Sequence, residues 1–84
     1  KDVRIRRERI NDVGVFAYPL EWHQPRIPGF GDIDWARFMA AIYDIGYDGS
    51  LCIEVEDATF GQTLEGRKRA VKVAGNVLAT YLAQ

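Results

Sequence analysis

The residues best placed to do chemistry are a run of carboxylates and one arginine. Leu51-Cys52-Ile53-Glu54-Val55-Glu56-Asp57 alternates apolar and polar positions and ends in two consecutive acids. In an extended chain this spacing sends Leu51, Ile53 and Val55 to one face and Cys52, Glu54 and Glu56 to the other. Glu54 falls toward the C-terminal end of such a strand, where parallel α/β folds hold their ligands. A carboxylate there can bind a hard divalent cation or shuttle a proton, so Glu54 is the candidate metal ligand and acid/base group. A solvated face on an edge strand is the commoner origin of the same pattern, and Glu56 and Asp57 taken singly read as loop carboxylates. Arg26 stands between Pro25 and Pro28. Prolines on both sides present its cation rigidly, which suits a sugar hydroxyl or a carboxylate; a plain surface arginine is equally consistent.

Other chemistries fit less well. Gly29 and Gly31 precede a helix start, as in phosphate-binding loops, but there is no third glycine at the right spacing and no Lys-Ser or Lys-Thr pair. Asp32 and Asp34 would repel an anion at that helix start. His23 is the only histidine and Ser50 the only serine, which leaves no complete hydrolase triad. No Cys or His neighbours His23 at metal-site spacing, so it reads as an ordinary loop histidine. Cys52 reads as a small buried hydrophobe.

These residues must be held by a short list of elements. Val3, Ile5 and Ile10 only partly alternate with the charges of residues 1–10, so a strand and a helical turn are both open there. Asn11 to Gly14 reads as a turn, and the proline-bearing stretch from Pro19 to Gly31 as a long loop. A helix is expected from about Asp34 to Ile45. Asp34 is its N-cap, Trp35, Phe38, Met39, Ile42 and Ile45 form its apolar stripe, and Gly46 sits at the left-handed C-terminal position. Ser50 to Glu56 is expected as a strand. A second helix follows from about Leu64 to Leu82, with Leu64, Val71, Ala74, Leu78, Tyr81 and Leu82 on its buried face. The chain thus divides into a basic segment and long loop over 1–33 and a helix–strand–helix run over 34–84. A lone strand between two helices that each need a sheet is what a slice through a parallel α/β fold looks like.

Composition sets the outer bounds. The 84 residues allow one domain at most, and their 48% hydrophobic and 27% charged content is ordinary for a folded protein. The first ten residues hold five basic groups against two acids, including Arg4, Arg6, Arg7 and Arg9. The formal charge of the whole chain is −1, so together with the acidic patch it argues against a nucleic-acid partner. No apolar run approaches the roughly 20 residues that span a bilayer, so no membrane partner is expected. A single cysteine points to a reducing, cytoplasmic setting. The start at Lys1 without Met suggests processing, a cloning choice or a piece of a longer protein.

Taken in order, "RIPGFGDIDW", "IYDIGYDGSLCIEVED" and a helix ending "LATYL" resemble the C-terminal end of the xylose isomerase-like sugar isomerase/epimerase family, whose members are (β/α)8 barrels. Lys1-Asp2 also resembles the close of that family's seventh strand, which commonly reads His-x-His-x-Lys-Asp. The resemblance implies an α/β C-terminal fragment of a barrel: Asp34–Ile45 as helix seven, Ser50–Glu56 as strand eight and Leu64–Leu82 as helix eight. It makes Glu54 a ligand of a divalent metal (Mn, Mg, Co or Zn) and one of two acid/base carboxylates, and Arg26 a substrate contact. The substrate implied is a small sugar or sugar phosphate, isomerised through an enediolate. The family's other ligands come from strands that these residues do not include, so this chain alone is expected to hold no metal and to be inactive. Unpaired strand edges and apolar helix faces lead to an expected homo-oligomer. The rival reading is a free-standing small α/β interaction module that binds through Tyr18, Trp22 and Phe30.

Overall fold

Two strands and three helices form in the order β1 (Asp2–Ile5), α1 (Arg7–Val13), β2 (His23–Arg26), α2 (Trp35–Asp44) and α3 (Leu64–Ala79), with one 3-10 turn at Pro19–Glu21. The computed structural model describes residues 1–82. β1 and β2 pair antiparallel, with Asp2 opposite Arg26, Val3 opposite Pro25, Arg4 opposite Gln24 and Ile5 opposite His23. Pro25 has no N–H to give, but a two-stranded ribbon leaves each strand an open edge where none is needed. Between the strands the chain makes an excursion closed at its base, where the Arg6 N–H donates to the Trp22 carbonyl at 2.7 Å. The segment 1–33 is therefore not a basic arm running into a long loop. It is a ribbon carrying a short helix, and His23 belongs to the ribbon.

α2 begins where expected. The Asp34 carboxylate accepts from the Arg37 N–H at 3.1 Å. The helix ends in a Schellman arrangement: Gly46 N–H donates to Tyr43 at 3.0 Å and Tyr47 N–H to Ile42 at 3.2 Å. That closure needs the positive φ of +73° at Gly46. α3 is capped by the Thr63 hydroxyl, which accepts from the Gly66 N–H at 2.9 Å. The apolar stripes are narrower than the sequence pattern indicates. On α2 only Met39 is buried, with Phe38 and Ile45 exposed. On α3 the buried line is Ala70, Ala74 and Leu78, while Leu64 and Val71 face solvent; the helix ends at Ala79, short of the expected Leu82, which is exposed. Small residues win this face because the neighbouring chain lies close against it. Ile27, Ala70 and Ala74 form the core, with Ile53, Val55, Phe60 and Val73 packed around it.

Ser50–Glu56 corrects a second expectation. Its side chains alternate as in a strand, with Ile53 and Val55 half-buried and Glu54 and Glu56 exposed. Among the described residues, however, it joins no sheet; the single sheet is β1 with β2. A strand is stabilised by its ladder, and here only the inward side chains are anchored, on α3.

The result is a thin α/β unit and not a complete barrel. Its extents are 45 × 33 × 16 Å and its radius of gyration is 14.8 Å. A compact chain of this length would give about 12 Å. The thin dimension holds one helix layer against one layer of extended chain, so the other face of that layer is bare.

The C-cap of α2 gives a direct test. A Cβ at Gly46 meets no atom within 4 Å. Gly46→Ala is therefore expected to cost about 1 kcal/mol, from backbone conformation alone. Urea unfolding should show a lower midpoint with an unchanged slope.

Candidate functional site

Asp2 organises the loop that the sequence marks out. Its side chain is fully buried. One carboxylate oxygen accepts from the Val3 N–H at 2.7 Å and the Ile33 N–H at 3.2 Å. The other accepts from Gly29 N–H at 3.0 Å, Gly31 N–H at 3.1 Å and the Trp35 indole at 2.8 Å. Neighbouring bonds run the same way: Asp32 N–H donates to the Val3 carbonyl at 2.6 Å, and the Asp32 carboxylate accepts from Ile5 N–H at 2.7 Å. A Cβ at Gly31 would collide with the Asp2 carboxylate and the Val3 carbonyl, which is why glycine stands there. Burial pushes the Asp2 carboxyl up, but its donors, the Trp35 indole foremost, outweigh this and hold it below the usual aspartate range. The two glycines thus do cradle an anion, and the anion is the chain's own.

A second buried carboxylate fixes the other end of the loop. Asp57 accepts from Arg26 Nε at 2.8 Å, Ile27 N–H at 3.0 Å and Thr59 N–H at 2.9 Å. Burial raises its pKa and these donors, led by the Ile27 N–H, lower it further than burial raises it. Arg26 is accordingly not a free surface cation. Its side chain is only 15% exposed, and its guanidinium lies 5.5 Å from the Phe30 ring centre. Nothing in the spacing of Arg26 and Asp57 signals this pairing, because 31 residues separate them. Asp2 was visible only as part of a Lys-Asp pair.

Glu54 lies on the bare face. Its side chain is 56% exposed and sits 3.4 Å from Lys1 Nζ, which also reaches Glu56 at 3.3 Å. Hydrogen bonding to Lys1 holds the Glu54 carboxyl below its ordinary range. Cys52, on the same face, is exposed and not buried. A cavity of about 360 Å³ opens next to this face, lined by Leu20, Gln24, Pro25, Glu56, Asp57 and Gln62. Arg26 and Glu54 are not brought together: each is paired with a different partner. His23 is half-buried on β2, paired across the ribbon with Ile5. Among the described residues no group of three or more His, Cys, Asp or Glu could hold a metal. Glu54 and Glu56 share one ammonium ion and do not by themselves make a cation site. No known family, curated protein or solved structure matches this chain.

The two aspartates make stability depend on acid. Their folded pKa values lie below the unfolded ones, so their contribution is complete above about pH 4, the unfolded aspartate range, and is lost as the pH falls through the folded values. Asp2→Asn places an NH₂ against donors and removes the charge they point at. It is expected to cost about 3 kcal/mol. Urea midpoints measured from neutral pH downward should fall in the parent chain, and the variant should start lower and lose less on acidification.

Proposed function

We propose that this chain is the C-terminal part of a sugar isomerase/epimerase of the (β/α)8 type, and that Glu54 moves a proton at the carbon next to a substrate carbonyl. The observation that supports the reading is the position of Glu54: exposed on the face of the 51–56 segment opposite Ile53 and Val55, which pack on the α3 core. Lys1 keeps Glu54 ionised, so in its resting form it is a base. It takes the proton from the C–H next to the carbonyl, leaving the electron pair in an enediolate, and returns it to the adjacent carbon. Arg26, clamped through Nε by Asp57, keeps its terminal nitrogens for a sugar hydroxyl or phosphate. Glu54 would also be one ligand of the family's divalent metal; the second carboxylate of the reaction and the other ligands would come from residues outside this chain. A reducing compartment such as the cytoplasm suits the exposed, unpaired Cys52.

Solvent deuterium exchange into aldose and ketose sugars, followed by NMR with Mn²⁺ or Mg²⁺ present, tests the reading. The 84-residue chain alone should exchange nothing. Joined to its natural upstream sequence it should exchange the C–H next to the carbonyl, and Glu54→Gln should slow that by about 100-fold or more. Exchange by the chain alone, or an undiminished rate in the Glu54→Gln protein, overturns the assignment.

One observation favours the rival reading of a non-catalytic interaction module. Of the three residues expected to carry it only Tyr18 is more than half exposed and Trp22 is half-buried, but Val15, Phe16 and Leu20 beside Tyr18 are more than half exposed, Phe16 completely so. A cooperatively melting, protease-resistant monomer would support that module.

A further inference from the structure

The segment from Leu51 to Glu56 has an unused backbone. Among the described residues, none of its N–H or C=O groups makes a hydrogen bond, although the groups at its two ends do: the Ser50 carbonyl accepts from the Tyr47 hydroxyl and the Asp57 carbonyl from the Gly61 N–H. Its inward side chains are fixed on α3, so the segment is held in a strand-like alternation with an edge ready for a ladder. We infer that a second copy of this chain fills that edge, with Leu51–Glu56 of the two copies pairing antiparallel about a two-fold axis at Ile53.

The register follows from charge and face. Directly opposed residues of an antiparallel pair lie on the same face. Both α3 helices share a face only if the axis passes through a residue and not between two. An axis at Glu54 sets the two Glu54 carboxylates against each other, and one at Val55 sets Glu54 against Glu56. An axis at Cys52 sets Asp48 against Glu56. An axis at Ile53 gives every residue from Ser50 to Glu56 a partner without opposing two carboxylates. Leu51 then meets Val55, Glu54 meets Cys52, and Glu56 meets Ser50. Leu51, 37% exposed in the single chain, is covered in the pair. A partner of different sequence would have to reproduce this pattern, which the segment already supplies to itself. The pairing is a property of the 84-residue chain by itself, since in the proposed barrel neighbouring strands would take this edge; its failure leaves the catalytic reading untouched.

Cys52 is exposed, so substitutions there report on the register, with circular dichroism and urea unfolding of each variant checking that the fold is kept. Sedimentation equilibrium under reducing conditions should show the chain dimerising in the micromolar range. Cys52→Lys places a cation opposite each Glu54 and should tighten the dimer about tenfold; Cys52→Glu opposes carboxylates and should loosen it by about the same factor. A chain that stays monomeric throughout that range overturns the interface. A dimer that ignores both substitutions, or shifts the same way with each, overturns the register.

Discussion

A carboxylate with no water to solvate it must find its hydrogen bonds within the protein, and Asp2 finds most of them in the loop between β2 and α2, the rest on Val3 and Trp35. Four backbone N–H groups and an indole N–H converge on it. This fixes the path of residues 29–35 more firmly than side-chain packing could, since Phe30 and Ile33 remain partly exposed. Asp57 does the same for Arg26 and Ile27, and Ile27 is then delivered into the core against Ala70 and Ala74. Two buried anions therefore do much of the work that a larger apolar interior would do in a thicker protein. An anion stripped of its donors is far worse than none at all, so the loop geometry is all-or-none.

The same logic explains where the molecule is weak. Apolar burial is shallow, and the outer layer of extended chain is covered on one face only. Glu54, Glu56 and Lys1 share that bare face as an exposed charge cluster, which solvent screens and which adds little to the fold. Their arrangement is better suited to meeting something than to holding the chain together.

Local signals in the sequence were legible wherever the physics is local. Asp34 and Gly46 bracket α2 because a cap and a left-handed residue act within a turn of the helix, and the alternation of 51–56 survives because it is set by anchoring on α3. What could not be read was long-range. The ribbon pairing of Val3 with Pro25 goes against the usual avoidance of proline in strands. The Asp2 and Asp57 clamps span about thirty residues each, with no spacing rule to mark them. The width of the helical stripes was overestimated because exposed Leu64 and Val71 look the same in sequence as buried ones. For the site, the outward placement of Glu54 was legible from alternation, whereas the burial of Arg26 and the exposure of Cys52 depend on which segments lie next to them.

The excursion between β1 and β2 is tied off at its neck by the ribbon and by the Arg6–Trp22 bond, and α1 buries no residue. α1 thus has little packing to tie it to either aspartate clamp. Residues 7–13 can open, lengthen or change composition at the small entropic cost of a bigger closed ring, while the neck keeps Asp2 in place. Sequence drift is cheap in this stretch and expensive a few residues to either side.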